Sequence, residues 1–466
     1  MNRPRLAGAR YHFIGAGGVG MSGLARFLLD KKALVTGSDQ TGGSATARLK
    51  RLGADIRIGH SPENLSPATD TVVISAAIRE SNPELQIARQ RGCHVYKYAQ
   101  FLGELMNSFD GIAVSGTHGK STTSGWLVYC LRQVGIEVNF VVGAEILQLG
   151  GSSGSGASEY FVVEACEYDR SFQNLTPKIA CILNIERDHL DCYKDEDDIV
   201  ESFSQFARGT KPDGLIVANG RDPNVAKVLN RLGGQRACVT FGLDAECDFH
   251  AGNIEEKAGY YHFDMFQAGQ RLGAARISLP GLHNVYNATA VVAMAVSIGV
   301  EPKRALEALE GFQGMDRRLM LKGQFGGITV VDDYAHHPTK VKASLRALRE
   351  RYRPQRLWCV FQAHQYSRTQ SLLEEFAASF ADADKVLVPE IFSARDTEAS
   401  RNAVNARILT ERICGRGTDA QYLSSFGAVC DCLEQNVRAG DVVVTMGAGD
   451  VWKVADEYLQ RLRRNS

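Results

Sequence analysis

The sequence has no excess of charge of either sign, no long apolar run and no dense set of cysteines. Lysine plus arginine (53) equal aspartate plus glutamate (53), so no net field would draw the chain to nucleic acid or to an anionic membrane. No apolar run reaches the roughly 18 residues of a membrane span, and no leader-like apolar stretch follows the first residues. These absences exclude a transmembrane or nucleic-acid-binding protein and favour a soluble, cytoplasmic one.

The eleven cysteines are scattered, and their spacing matches neither a disulfide framework nor a metal site. Cys430 and Cys432 come nearest, but a C-x-C pair without a second pair is a weak metal signal. In a large chain without a leader, reduced and buried thiols are the expected state.

The chain is too long, at 466 residues, for one ordinary hydrophobic core. Short strand-like apolar runs alternate with helix-like stretches, which predicts an α/β fold with parallel sheets covered on both faces. This pattern begins anew twice, which predicts three domains: residues 1–109, 110–315 and 316–466. Residues 246–277 alternate in polarity and predict antiparallel strands. Residues 150–158, rich in glycine and serine, predict a flexible surface loop.

A glycine-rich turn follows the first predicted strand. Gly15, Gly17 and Gly20 fit G-x-G-x-x-G between a strand and a helix, and Asp39 lies where a ribose-binding acid would end the second strand. The turn suits a pyrophosphate at a helix N-terminus. A dinucleotide cofactor, and hence a dehydrogenase, is one interpretation, and a nucleotide diphosphate on a substrate is another. Tight packing of strand on helix, with no ligand, is the third.

A second glycine-rich turn follows the strand predicted at the start of the second domain. Gly116 and Gly119 allow the backbone to wrap phosphate oxygens, Lys120 can reach the β- and γ-phosphates, and the Ser121 hydroxyl can bind Mg²⁺. Val114 stands where the standard phosphate loop has its first glycine, so this is a shortened variant. A dehydrogenase has no use for a second phosphate loop, which weakens that interpretation.

Six sequence motifs resemble those of the Mur ligases, which build the peptide of bacterial cell-wall precursors. They occur in the family's order along nearly the whole chain and are most similar to the branch that adds the first amino acid. The motifs are HFIGAGGVGMSG (12–23), GTHGKSTT (116–123), NIERDHLD (184–191), GLHNVYNA (281–288), DDYAHHP (332–338) and FQAHQYSRT (361–369).

This resemblance implies a Rossmann-like first domain that holds UDP-N-acetylmuramate, a phosphate-loop ATPase domain in the middle and a Rossmann-like third domain that holds L-alanine. ATP, with Mg²⁺, would turn the lactyl carboxylate of the sugar into an acyl phosphate, which the amine then attacks. The protein would be a monomer or a weak homodimer. The runner-up within the family is a peptide-recycling ligase that adds a tripeptide to the same sugar nucleotide.

The resemblance also implies roles for individual residues. For the UDP-sugar, the matched residues are Gly15, Gly17, Gly18, Gly20, Asp39 and Ser75. For ATP, they are Gly116, Thr117, Gly119, Lys120, Ser121, Thr122, Asn284 and Arg318. The metal ligands would be Ser121, Glu164 and His189, and the amino-acid pocket would contain His336, His364 and Arg368. The catalytic residues would be Lys120, His189, Arg317 and His336, with either Arg317 or Arg318 on the γ-phosphate.

Three points stay open at the level of sequence. Either His336 or His337 could take the proton of the attacking ammonium, or one could orient the ligand while the other is structural. Gln365 stands where the alanine-adding branch commonly has arginine, so Arg368 is the obvious anchor for the carboxylate of the amino acid, and arginine is expected to be tolerated at position 365. Glu167 and Asp169 are interpreted as solvated loop charges.

Overall fold

A computed structural model describes residues 6–189, 191–393, 396 and 398–464. The chain forms three β-sheets, one after another along the sequence, each covered by helices. All eleven cysteines are free thiols. Five are buried, but Cys166, Cys238 and Cys414 are exposed, so the prediction that the thiols are buried is wrong for these three. Within the described ranges, every helix is too short or too polar to span a lipid bilayer.

The first sheet is fully parallel, with the strand order β3-β2-β1-β4-β5. Its elements are β1 (Arg10–Ile14), α1 (Val19–Asp30), β2 (Leu34–Asp39), α2 (Ser44–Arg51), β3 (Asp55–Ile58), β4 (Thr71–Ile74), α3 (Pro83–Gln90), β5 (His94–Lys97) and α4 (Tyr98–Met106). The strand order reverses on either side of β1, and ligands of open α/β sheets bind at such a reversal, beyond the carboxyl ends of the strands. The first glycine turn lies there.

A buried carboxylate ties this domain together beneath the glycine turn. Glu84, fully buried, accepts hydrogen bonds from His12 (3.0 Å), the Ser38 hydroxyl (2.6 Å) and the Asn64 amide (2.7 Å). Burial raises the pKa of Glu84, but these hydrogen bonds outweigh it and lower the pKa to about 2. Strands β1 and β2 and the first turn of α3 are thereby joined through one side chain.

Glu84→Ala is expected to destabilise the first domain by about 3 kcal/mol or more, because it leaves buried donors without an acceptor. Because the pKa of Glu84 is lowered in the folded state, its contribution is complete above its ordinary pKa of 4.5 and disappears as pH falls towards about 2. The midpoint of urea unfolding at pH 7 measures the effect. The exposed Glu80→Ala variant is the matched control, and equal midpoints for the two variants would contradict the prediction.

The central sheet has ten strands in the order β15-β14-β13-β12-β11-β10-β6-β9-β7-β8. Its elements are β6 (Asp110–Ser115), α5 (Lys120–Gln133), β7 (Asn139–Ile146), β8 (Gly151–Gly154), β9 (Tyr160–Glu164), β10 (Ile179–Ile182), α6 (Glu196–Arg208), β11 (Leu215–Asn219), α7 (Pro223–Leu232), β12 (Ala237–Gly242), β13 (Phe249–Lys257), β14 (Tyr260–Gln267), β15 (Gln270–Ile277), α8 (Leu282–Ser297) and α9 (Pro302–Leu309). Strands β13, β14 and β15 are antiparallel, which confirms the prediction from alternation.

The prediction of a flexible loop at residues 150–158 is wrong. Residues Gly151–Gly154 form β8, which pairs antiparallel with β7 and packs against α1 of the first domain. Arg26 donates to the Gly150 carbonyl at 2.6 Å and Lys31 donates to the Gly156 carbonyl at 3.0 Å. The composition suggested a flexible loop, but the small residues instead allow two domains to pack closely: a Cβ on Gly151 would collide with Arg26.

The third sheet has the order β16-β17-β21-β18-β19-β20, in which only the edge strand β16 is antiparallel among the described strands. Its elements are β16 (Met320–Phe325), β17 (Ile328–Asp333), α10 (Pro338–Tyr352), β18 (Leu357–Phe361), α11 (Tyr366–Ser371), α12 (Leu373–Ala377), β19 (Lys385–Val388), α13 (Glu398–Ala403), α14 (Ala406–Gly415), β20 (Ala420–Tyr422), α15 (Phe426–Asn436), β21 (Val442–Met446) and α16 (Trp452–Arg464). The exact domain boundaries stay a prediction.

Candidate active site

Two adjoining cavities lie where the three sheets meet. The larger, about 510 Å³, is lined by α1 and α2 of the first domain, by the loop before α5, and by the third-domain residues Tyr334, His336 and Lys340. The smaller cavity, about 260 Å³, is enclosed by that loop and by the first turns of α8 and α10. Groups from all three domains therefore face one connected space.

The second glycine turn connects β6 to α5 in the central parallel region of the sheet. Gly116 and Gly119 have φ of 141° and 83°, a region that favours glycine. A Cβ on Gly116 would lie 2.9 Å from Leu183 Cβ, so the turn passes tightly over the end of β10. The neighbouring strands β9 and β10 end at the same edge, which explains why their loops deliver polar side chains to this turn.

Lys120 forms a buried charged cluster that the sequence interpretation missed. Its ammonium lies 2.7 Å from Glu167 Oε2, and Glu167 Oε1 lies 3.4 Å from His189 Nε2. Burial opposes both charges, but their attraction prevails: it lowers the pKa of Glu167 to about 2 and raises that of Lys120. Glu167 is 3% exposed, so the interpretation of it as a solvated charge is wrong; Asp169 is exposed as expected.

Ser121 and Glu164, two of the expected metal ligands, are in contact. The Ser121 hydroxyl donates to Glu164 Oε1 at 3.1 Å, and Glu164 Oε2 accepts the Gly143 N–H at 2.6 Å. Two oxygen ligands beside a phosphate loop fit Mg²⁺, which takes few protein ligands and completes its shell with phosphate and water. His189 lines the same cavity and its Nδ1 is buried without a hydrogen bond among the described residues, but its Nε2 faces Glu167.

Only one of the two candidate arginines reaches the phosphate loop. Arg318 donates to the Ser121 hydroxyl at 3.2 Å. Arg317 instead donates to Asp332 at 3.0 Å and to the carbonyls of Gly447 and Gly449. These contacts favour Arg318 as the arginine on the phosphate. Arg317 also lines the larger cavity, so its expected catalytic role stays a prediction.

Asn284 lies in the smaller cavity, on the first turn of α8. Its amide donates to the Pro280 carbonyl at 2.7 Å, and its oxygen accepts from Asn287 at 3.0 Å. Phe241 and Leu279 add apolar wall. A flat heterocycle with polar edges suits this cavity, which adjoins Gly119 and Thr122 of the phosphate loop. Thr117, another residue expected to bind ATP, is buried, and its hydroxyl forms hydrogen bonds with the backbone of Glu186.

The structure separates the two adjacent histidines after β17. His336 lines the larger cavity, and its Nδ1 lies 2.8 Å from the Tyr334 carbonyl. A carbonyl only accepts, so Nδ1 carries the proton and Nε2 keeps its lone pair. Burial, with Lys340 and Arg368 nearby, holds the pKa of His336 well below its ordinary value, so the ring is neutral at pH 7. His337 is buried against the Arg187 carbonyl and does not line the larger cavity.

Arg368 joins the third domain to the central one. Its Nε and Nη2 donate to Asp188 Oδ1 at 3.1 and 3.0 Å, and its Nη1 lies 3.3 Å from His364 Nδ1. The charge of Arg368 helps to hold the pKa of Asp188 well below its ordinary value although burial opposes this. Gln365 is 4% exposed with φ of 71°, so an arginine there would occupy a buried position, and the expected tolerance of arginine stays a prediction.

The residues expected to bind the UDP-sugar surround the carboxyl ends of β1, β2 and β4. They are Gly15, Gly17, Gly18, Gly20, Asp39 and Ser75. The Gly17 N–H donates to Asp39 Oδ2 at 2.7 Å, so Asp39 holds the turn itself. Among the six, Gly17 lines the larger cavity. A Cβ on Gly20 would lie 2.8 Å from the Tyr98 ring, so packing alone explains that glycine.

Three family models match successive parts of the chain. They are described as Mur ligase family, catalytic domain (residues 10–110), Mur ligase middle domain (114–295) and Mur ligase, glutamate ligase domain (317–449). The UDP-N-acetylmuramate–L-alanine ligase of Caldanaerobacter subterraneus subsp. tengcongensis is 40% identical over 457 residues, which are 98% of each chain. The chain belongs to the Mur ligase family. The dehydrogenase interpretation of the first glycine turn is therefore wrong.

Solved structures of Mur ligases share this architecture. The UDP-N-acetylmuramate-alanine ligase MurC of Thermotoga maritima superposes with a TM-score of 0.82 at 26% identity, covering 98% of this chain and 100% of that one. A murein peptide ligase of Psychrobacter arcticus superposes with a TM-score of 0.71 at 28% identity, covering 98% and 99%. The predicted three-domain α/β fold with Rossmann-like outer domains is confirmed.

Sequence reasoning missed two charged residues of this Mur ligase site. Glu167 follows β9 closely, and β9 pairs with the phosphate-loop strand, so strand order would have pointed to it. Lys340 lies in the first turn of α10, two residues after Pro338. A positive charge is unfavourable beside the positive end of a helix, so a lysine at this position was a sequence signal that could have pointed to a functional role.

Proposed function

We propose that this Mur ligase joins the lactyl carboxylate of UDP-N-acetylmuramate to the amine of L-alanine, converting ATP to ADP and phosphate, in the synthesis of peptidoglycan precursors. The carrying observation is the 40% identity to a ligase of that name over 98% of both chains. The connected cavities support the proposal, because a three-substrate reaction needs groups from all three domains to face one space.

The first step needs several negative charges to come together. We assign the adenine to the cavity around Asn284, which directs the phosphates over Gly119 towards Lys120. Lys120 and Arg318 offset the charge that the carboxylate and the γ-phosphoryl group share during in-line transfer. Ser121 and Glu164 would hold Mg²⁺, which when bound neutralises phosphate oxygens. The product of this step is an acyl phosphate.

The second step needs an oriented, neutral amine. We assign the carboxylate of L-alanine to Arg368, which Asp188 holds in place. The free Nε2 of His336, which lines the larger cavity, accepts a proton from the ammonium as the amine attacks the acyl carbon, or from the tetrahedral intermediate that results. Phosphate then leaves and the amide remains.

Release of phosphate from ATP by the full-length chain with UDP-N-acetylmuramate tests this function. L-Alanine should support the fastest turnover in a panel that includes glycine, L-serine and the tripeptide of the recycling reaction. Turnover with the tripeptide alone would replace this proposal with the peptide-recycling function.

The first domain should bind UDP-N-acetylmuramate and not a nicotinamide cofactor. Isothermal titration of the full-length chain is expected to give a binding isotherm for UDP-N-acetylmuramate and none for NAD or NADP, because the glycine turn adjoins the reaction cavity through Gly17. The Gly17→Ala variant should bind the sugar nucleotide more weakly, since a Cβ there would lie 2.9 Å from Asp39. Tight NAD binding would overturn the assignment of this domain.

We further propose that the enzyme acts in the cytoplasm as a monomer or a weak homodimer. Its substrate ATP and its free thiols fit a reducing compartment. Sedimentation over a range of protein concentrations tests the assembly state.

A further inference from the structure

Lys340 occupies the junction of the two cavities. Four residues line both: Gly119 and Thr122 of the phosphate loop, and the cations Arg318 and Lys340. Any molecule with its base in the smaller cavity and its reacting end in the larger one must pass these four residues. Gly119 and Thr122 come from the central domain, whereas both cations come from the third.

Lys340 has no anionic partner in the described part of the chain. Its ammonium makes no hydrogen bond and no ion pair there, although the charges of Asp188 and Glu167 attract it. The other lysine and arginine side chains of the larger cavity are engaged, Lys120 by Glu167, Arg317 by Asp332 and Arg48 by Glu145. Arg26 binds the Gly150 carbonyl. Arg318 forms no ion pair among the described residues either, so neither cation at the junction has a carboxylate partner there.

An unpaired cation in this position is energetically unfavourable. Burial in the cleft lowers the pKa of Lys340 to about 8. Lys340 also lies in the first turn of α10, where the positive end of the helix dipole opposes a positive charge. The acids that attract Lys340 are already paired, Asp188 with Arg368 and Glu167 with Lys120, while Lys120 and Arg318 repel it. Such a site is relieved by an anion that comes from outside the chain.

We propose that Lys340 binds the γ-phosphoryl group of ATP and holds it during transfer to the carboxylate. This inference rests on the proposed ligase function and adds a residue to it. Together with Arg318, Lys340 supplies the third domain's share of the positive charge, while Lys120 supplies the central domain's share. The γ-phosphate therefore links the central domain to the third domain. ADP lacks this phosphate and cannot link them.

The test compares a triphosphate with a diphosphate. Full-length protein is titrated with ADP and with the β,γ-imido analogue of ATP, in the presence of Mg²⁺ and UDP-N-acetylmuramate. Lys340→Met removes the charge at nearly constant length, and Lys340→Arg retains it. Lys342→Met is the matched control, since Lys342 lies on the exposed face of the same helix. Circular dichroism and thermal unfolding verify that each variant is folded.

Lys340→Met is expected to weaken binding of the triphosphate analogue about tenfold or more, the effect of one lost charge-assisted hydrogen bond, and to change ADP binding little. Lys340→Arg should restore most of the difference, and Lys342→Met should match the unmodified enzyme. Equal triphosphate binding by Lys340→Met and the unmodified enzyme would overturn the inference, and so would an equal loss for ADP and triphosphate. If the unmodified enzyme binds neither nucleotide, the proposed ligase function itself fails.

Discussion

Lys120→Ala is expected to lower kcat by on the order of 10²- to 10³-fold while the chain remains folded. Lys120 begins α5 at the end of the phosphate loop, and its ammonium reaches both Glu167 and the loop carbonyl of Thr117. When ATP binds, the same ammonium can bridge the β- and γ-phosphates, where negative charge is concentrated during transfer. Removing it leaves that charge without its central-domain cation. Single-turnover formation of phosphate measures the loss directly.

The ion pair between Lys120 and Glu167 means that Lys120→Ala affects stability as well as activity, so a control variant is needed. Without Lys120, Glu167 remains buried and faces His189 alone, which lowers stability as well as activity. Lys120→Ala combined with Glu167→Gln removes both charges, so it should recover stability and not kcat. Lys303→Ala, on the exposed face of α9, should change neither. Near-normal kcat in a folded Lys120→Ala protein would place the ATP site elsewhere.

Sequence patterns located the phosphate loop because its chemistry is local. Gly116, Gly119 and Lys120 follow a strand and open a helix, and the φ angles of the two glycines, 141° and 83°, are those that such a turn requires. Several buried parallel strands were predictable because they consist of nearly continuous apolar runs, as in Ile179–Ile182 and Val442–Met446. Local signals of this kind do not depend on which strand becomes the neighbour of which.

The remaining features of the site depend on tertiary neighbours. Arg317 and Arg318 are adjacent in sequence, but the positive φ of Arg317 (56°) turns its guanidinium into the third domain and leaves Arg318 to reach Ser121. Glu167 is buried only because β9 lies beside β6. The role of Lys340 becomes visible only when the cavities are known. The burial of a side chain and its pairing with a residue of another domain cannot be read from the spacing of residues in a short motif.

Arg368→Ala is expected to raise the KM for L-alanine about 100-fold and to leave the KM for ATP nearly unchanged. An arginine holds a carboxylate through two charge-assisted hydrogen bonds, and losing both costs about this factor or more. Arg368 is 8% exposed, and Asp188 and His364 fix its guanidinium beside His336, the group we assign to the proton of the amine. Initial rates at varied L-alanine, ATP and UDP-N-acetylmuramate separate the three constants.

The contact between Arg368 and Asp188 also allows a purely structural role, and the kinetic constants distinguish the two. If Arg368 only docked the third domain, its loss would impair all three substrates together and lower the unfolding temperature, because Asp188 would be left buried and unpaired. Arg368→Lys should keep the charge near Asp188 but lose the fork, so a carboxylate anchor predicts that it rescues stability while the KM for L-alanine stays high. The exposed Arg346→Ala, on α10, should resemble the unmodified enzyme in every constant. A rise in the KM for ATP alone would require the amino-acid pocket to be sought elsewhere.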